Sequence, residues 1–362
     1  MITKSIACFS LFYVLFGTGC SKNSEPESEP KTPVGDTWRM LEYQCASEIY
    51  GAWHTSDNSF FTSGVNSVCV LQGNQMKEIY HDSGMSFKEI WGDTEDNVWA
   101  VGNKNGGRIM RCTRDICHFC SETENMAFYA IHGTTSGLKY ISGTHSIDGV
   151  PWGLIATTQD GESIEIVYEK EGYWMRDVWC DPRNEQVVGV GGSLGGLTGR
   201  GIVVTRGTDG VLKEQTVDTD NFQYVSVWGT GPDEIFIVGV LVRPLEWVDE
   251  TTETLSVVYR WDGDKFTEVL KSDNAFFMSI WGKSSSEIYI GGQKWTRTRG
   301  DGMKFDAKDH IIRWNQTETF QSVLPAATID NSGVNGFDCS IDGSTVYAYA
   351  TEGDIYQRQI TE

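Results

Sequence analysis

Between Trp53 and Asp338 one phrase recurs seven times, and five of its copies carry tryptophan at the head. The clearest copies are IWGDTEDNVWAVG at residues 90–102, VWGTGPDEIFIVG at 227–239 and IWGKSSSEIYIGG at 280–292. Weaker copies are AWHTSDNSFFTSG at 52–64, IHGTTSGLKYISG at 131–143 and VWCDPRNEQVVGVGG at 178–192, and the most degraded is FDCSIDGSTVYAYA at 337–350. The heads fall at Trp53, Trp91, His132, Trp179, Trp228, Trp281 and Asp338, so the step grows from 38 to 57 residues. That is the period of a solenoid or of propeller blades.

Each copy reads as a short apolar strand ending at the head, a polar turn, and a second strand closed by glycine. The turns hold Asp, Asn, Ser, Pro and Gly, as at Gly231, Pro232 and Asp233, while the strands are rich in Val, Ile, Tyr, Phe and Trp, the composition of strands rather than helices. Two more strands follow in most copies, as in SVVYRWDGDKFTEVL at 256–270 and HIIRWNQTETFQSVL at 310–324. Four antiparallel strands per unit make a blade. The expected fold is therefore all-β, a seven-bladed β-propeller of four-stranded antiparallel blades. Copy seven runs out of chain after its third strand at 354–360, and TWRMLEY at 37–43 resembles the fourth strands KFTEVL and TFQSVL. This N-terminal strand is expected to close the last blade, leaving no open edge to recruit other chains. Six blades plus a stray hairpin is the alternative, since copy seven lacks the tryptophan.

The N-terminus predicts export. Residues 6–16 form an apolar run followed by GTGC at 17–20, and such a run is far shorter than the roughly 20 residues of a membrane span. The ending resembles a bacterial lipoprotein signal, which implies a signal peptide over 1–19 and lipidation at Cys20; an ordinary cleaved signal is the alternative. Residues 20–36 hold three of the eight prolines and no aromatic residue, which suits a flexible tether. The single propeller domain then occupies 37–362. Ser21 after the cysteine resembles the residue type that permits outer-membrane sorting, so the protein is expected to be exported and anchored to the cell envelope, at the outer membrane; secreted or periplasmic placement is the alternative. Fifty acidic against 29 basic residues leave a net charge of −21. That balance argues against nucleic acid and against anionic lipid surfaces, leaving the membrane reached through the anchor only. A monomer is expected.

Beyond Cys8 and Cys20, seven cysteines remain, and Cys112 and Cys117 flank a four-residue turn between two strands, where a hairpin brings thiols to disulfide distance. Cys112 with Cys120 competes, and the spacing to His118 fits zinc less well than a disulfide in an exported chain. No metal or cofactor is expected. Calcium at the Asp-rich turns 218–221 and 330–336 is outweighed by ordinary turn chemistry, and the six scattered histidines show no metal-binding spacing. His54 and His132 replace repeat residues near the channel end of copies one and three.

The growth in period sits in the connection between the second and third strands, from NKNGG at 103–107 through THSIDGVP at 144–151, SLGGLTGR at 193–200 and LVRPLEWVDETTETL at 241–255 to QKWTRTRGDGMKFDAKD at 293–309. Long loops on a rigid scaffold collect binding residues. Copies three to six are thus expected to build a rim that binds a protein or glycan ligand, with Trp247, Trp295, Arg243, Glu246, Arg297, Arg299, His145 and Asp148 as candidates. Aromatic and Arg side chains make the strongest anchors, although Trp247 and Trp295 also suit folding their own loops onto the blade. A carbohydrate-active enzyme with carboxylates at the channel mouth, or a scaffold subunit of an envelope complex, are the alternatives. No catalytic residue is assigned.

The W-G, polar turn, [DE/N]-[IV]-[WFY]-x-[VI]-G pattern resembles the repeat of secreted bacterial β-propeller lipoproteins, loosely kelch-like or galactose-oxidase-like in architecture. The resemblance covers residues 44–360 and implies the fold. The kelch double glycine stands only at Gly191 with Gly192 and Gly291 with Gly292, so copper-oxidase chemistry is not carried over.

Overall fold

The computed structural model describes residues 38–41, 45–55, 59–72, 75–181, 183, 185–194, 199–206, 210–215, 217, 222–241, 255–298, 304–316, 319–322, 334–339, 344–350 and 353–359. Among these the regular elements are all strands, joined into antiparallel sheets. Copies three to six each form one four-stranded sheet, copy four for example from Tyr173–Cys180, Val187–Ser193, Gly201–Arg206 and Leu212–Gln215. Copy seven supplies three strands, Val334–Cys339, Thr345–Ala350 and Ile355–Gln359, and the fourth is Arg39–Leu41. Arg39 lies opposite Gln357, Met40 opposite Tyr356 and Leu41 opposite Ile355. Just before this strand Trp38 is buried edge-on against Tyr289 of copy six, at 6.2 Å between ring centroids.

Among the described residues the strands join into six sheets, the alternative count, rather than seven. Copies one and two share a single six-stranded sheet, because copy one has almost no chain between its segments. Phe60–Gln72 pairs first with Ile49–His54 and then, beyond left-handed Asn66, with Gln75–Thr94, which continues into the head strand of copy two. Only Asn66 and Gly84 punctuate the two segments, and the Gly84 amide donates to Asn66 Oδ1 at 2.8 Å. With so little connecting chain, the hydrogen-bond ladder runs on where other copies break it.

Sevenfold order persists inside the six sheets. Every head strand carries a β-bulge at one place, between Ile49 and Gly51, Phe87 and Glu89, Phe128 and Ala130, Met175 and Asp177, Tyr224 and Ser226, Phe277 and Ser279, and Val334 and Gly336. A bulge sets two residues against one, sharpens the twist and re-aims a side chain. Adjacent head strands are stitched in sequence. Asp177 accepts from the Val227 amide at 2.9 Å, Ser226 Oγ from the Ile280 amide at 3.3 Å, and Asn335 donates to the Ile49 carbonyl at 3.1 Å.

The W-G pair of the repeat is itself a contact between copies. The Trp91 indole covers Gly133 so closely that a Cβ there would stand 2.2 Å from its ring, and Trp228 covers Gly282 likewise at 2.5 Å. Trp179 reaches Gly229, and the Trp53 indole donates to the Gly92 carbonyl at 2.6 Å. Four of the five head tryptophans, Trp53, Trp91, Trp179 and Trp228, thus meet the glycine after the head of the following copy.

Among the described residues two disulfides are present, Cys112–Cys117 across a hairpin and Cys45–Cys69 joining the approach to copy one with its third segment. Cys120 and Cys180 are free. Closing a short loop constrains the unfolded chain modestly, so replacing Cys112 and Cys117 together by Ser is expected to cost about 2 kcal/mol. The check is a urea midpoint shifted with an unchanged slope.

Two segments read as loops are strands. Lys139–Ile147 and Val150–Thr158 pair up to Ile147 opposite Val150, turning through Asp148 and Gly149 at φ 51° and 78°; positive φ at both positions is the two-residue hairpin turn that Asp-Gly favours. Glu287–Thr298 and Lys304–Trp314 pair as far as Thr298 opposite Lys304. Trp295, Thr296 and Thr298 are strand formers, so the hairpin lengthens rather than giving way to a loop.

Candidate functional site at the channel mouth

In a propeller the head strands are innermost and line the central channel, so the residue re-aimed by each bulge is placed at its wall. In chain order these residues are Tyr50, Lys88, Tyr129, Arg176, Val225, Met278 and Asn335. All seven are partly exposed. Copies one to four thus alternate aromatic and cationic side chains, and copies five and six offer apolar ones.

Each cation lies over an aromatic ring presented by the preceding copy. Lys88 Nζ stands 4.0 Å from the Tyr50 ring centre, and the Arg176 guanidinium 5.8 Å from that of Tyr129 and 4.7 Å from that of Trp174. Such contacts are worth about 0.5–2 kcal/mol, more as water is excluded. Tyr129 and Trp174 meet edge to face at 6.4 Å. The Lys88 ammonium is pulled down to about 8, first by desolvation and then by the like charge of Arg176, with Glu48 opposing. Burial pushes Arg176 down as well, against the favourable charge of Asp177.

Beside these cations, the bulge brings carboxylates to the wall in the same two copies. Glu89 accepts from the Ile90 amide at 3.1 Å, and Gly51 leaves it room, since a Cβ there would lie 2.7 Å from Glu89 Oε1. Desolvation raises its carboxyl well above the usual range, reinforced by the charges of Asp177 and Asp338. Asp177 is pushed up to about 6 by desolvation, despite accepting from the Val178 amide at 2.8 Å and from Val227. Both carboxylates brace backbone amides. Among the described residues no group of three or more His, Cys, Asp or Glu is placed to hold a metal ion.

At the heads, His132 packs edge-on to Trp53 at 5.5 Å and tilted on Trp91 at 5.9 Å. Burial lowers it to about 4. His54 is stacked on Phe60 at 4.5 Å and bonded through Nδ1 to Asp338 at 2.8 Å. That pair ties copy one to copy seven.

The rim candidates do not converge within the described residues. His145 bonds Glu169 across its own sheet at 3.1 Å, and Asp148 sits at the tip of the hairpin turn. Trp295 and Arg297 stand on strand Glu287–Thr298, opposite Ala307 and Phe305. Arg243, Glu246, Trp247 and Arg299, together with Cys20 and the 218–221 turn, lie outside the described residues. The mouth residues escaped the sequence reading, yet one signal marks them: the third residue before each head reads Tyr, Lys, Tyr, Arg, Val, Met, Asn.

Fold and channel together define the chain as a β-propeller. No family model matches it, and neither does any curated protein. Among solved structures it is similar to one described as YCF48 bound to D1 peptide, with TM-score 0.63 and 14% identity over 92% of this chain and 100% of that one. It is also similar to a streptogramin B lyase, with TM-score 0.61 and 15% identity over 91% of this chain and 100% of that one. The WD40 β-propeller domain of Doa1 aligns with TM-score 0.61 and 9% identity over 90% of this chain and 98% of that one. At such identities the likeness is one of fold.

Proposed function

We propose that this propeller is an interaction module that takes a segment of a protein partner at the channel mouth, aided by the neighbouring connections of copies three to six. The observation that carries the reading is the half-ring of Tyr50, Lys88, Tyr129 and Arg176, aimed into the channel by equivalent bulges. A similar propeller has been described with a peptide bound, which supports a protein ligand over a glycan. The braced carboxylates Glu89 and Asp177 supply no free acid and base pair, which weighs against a glycosidase. An envelope tether at Cys20 and an oxidising compartment belong to the same proposal, and the two disulfides support the latter.

The test is a random peptide library selected against the full chain. Peptides enriched on the wild type are expected to lose about tenfold or more in affinity for Met278→Trp, which fills the mouth from its apolar side, at an unchanged melting temperature. Selected peptides that bind this variant undiminished would place recognition elsewhere and end the proposal.

A further inference from the structure

We propose that Lys88 and Arg176 form a carboxylate subsite, and that the partner segment presents an acidic side chain to it. This rests on the reading of the mouth as a protein-binding site and names its chemistry.

Several other partly buried cations of the chain have acidic partners, while buried Lys139 donates to the Gln159 carbonyl and lies over the Trp99 ring. Arg108 bonds Asp82 at 2.9 Å and Glu122 at 3.0 Å, Arg260 bonds Glu234 at 3.0 Å, and Lys104 and Lys170 pair with Asp82 and Glu214. Among the described residues Lys88 and Arg176 have no ion pair and no hydrogen bond; they lie over aromatic faces, and Glu48 and Asp177 act on them only through their charge. A chain with 50 acidic residues thus leaves these two cations, at equivalent bulges of copies two and four, without a carboxylate in ion-pair contact.

The local acids are otherwise engaged. Asp177 holds two backbone amides, Glu89 is pushed toward its protonated form, and Glu48 accepts the Tyr50 hydroxyl. Stacking on Trp174 and Tyr129 leaves the guanidinium edge free to meet a carboxylate, the geometry Arg favours. The Trp174 Nε1 beside it is buried without a partner among the described residues. An anion between the two cations relieves their mutual repulsion and replaces solvation lost to the wall. Across the channel Val225 and Met278 suit an apolar neighbour of the acidic residue, which points to a peptide rather than a free anion.

The experiment uses the full chain with lysines 13C-dimethylated and the Lys88 resonance assigned by its loss in Lys88→Arg. The probes are acetyl-Leu-Glu-Leu-amide, its Gln counterpart, acetyl-leucine with its free carboxylate, and glucuronate. The Glu peptide is expected to move the Lys88 resonance and raise its titration midpoint above the ligand-free value, while the Gln peptide does neither. Arg176→Gln is expected to weaken the Glu peptide by about tenfold or more, with melting unchanged. Equal response to the Gln peptide, or silence of Lys88 toward every probe, overturns the subsite. Acetyl-leucine or glucuronate acting where the Glu peptide does not overturns the assignment to an acidic side chain. If selected peptides are lost on Met278→Trp but bind irrespective of charge, the mouth stands and only the carboxylate falls.

Discussion

Trp91→Ala is expected to destabilise the protein by about 3–5 kcal/mol, and Gly133→Cys by about 1–3 kcal/mol through overpacking, yet Trp91→His combined with Gly133→Cys is expected to cost far less than the sum of its two single changes. The indole of Trp91 is 7% exposed and lies flat against Gly133, where an added Cβ meets the ring at 2.2 Å. The chain contains its own natural version of the swap. The head of copy three is His132, and the corresponding slot of copy four holds not glycine but Cys180, fully buried with its thiol 3.6 Å from the His132 carbonyl. Where the head is aspartate, at Asp338, its counterpart in copy one is His54, and the two are bonded at 2.8 Å. At these two junctions a smaller head goes with a larger partner, and a charged head with a basic one, whereas the slot that follows Trp281 holds Cys339. Urea unfolding of Trp91→His, Gly133→Cys and the double gives the coupling. Strict additivity would show that the volumes at the two positions are not shared, and the interlock between copies would fall with it.

That interlock explains why the architecture was legible. The head of one copy and the residue after the head of the next share one contact at four junctions, so Trp with Gly recurs at Trp91, Trp228 and Trp281 even where the rest of the phrase drifts. The closing strand was legible for a related reason. Residues 37–43 have the composition of a fourth strand and no first three of their own, and within them Arg39–Leu41 pair with Ile355–Gln359. The number of sheets was not legible. It depends on whether a ladder breaks between segments, which in copy one comes down to the brevity of the chain around Asn66 and Gly84. The long connections misled for the opposite reason. Length alone suggested loops, but Asp148-Gly149 is a hairpin turn, and the strand carrying Trp295 and Arg297 continues past the expected edge. The mouth stayed hidden because its position has no compositional rule. A bulged residue facing a channel packs against nothing that repeats, so Tyr50, Lys88, Tyr129 and Arg176 differ while their backbone geometry is the same.

The acid response of the fold turns on desolvated groups displaced in opposite directions. Desolvation lowers His132 and His310 from the ordinary value of 6.5 to about 4, opposed at His132 by a bond with the Gly133 backbone and aided at His310 by the charge of Lys294. A base whose folded value is depressed stays neutral in the fold while the unfolded chain takes up the proton. Its contribution is complete above about pH 6.5 and drains away as pH falls to about 4. Asp177 runs the other way. Its folded value, raised from 3.8 to about 6, makes the protonated form the one the fold prefers, so its contribution is complete below about pH 3.8 and is lost as pH climbs through 6. A shift of one unit is worth about 1.4 kcal/mol. His132→Leu is therefore expected to gain on the wild type by about 3 kcal/mol as pH falls from 7.5 to 4, whatever its offset at neutral pH. Asp177→Asn is expected to gain by a similar amount, about 3 kcal/mol, as pH rises from 4 to 7. Urea midpoints measured across that range decide the matter through the slopes alone, which separates titration from packing lost on substitution. A His132→Leu curve parallel to that of the wild type would mean that the imidazole is hydrated in the fold, and that the rings of Trp53 and Trp91 do not exclude water from it.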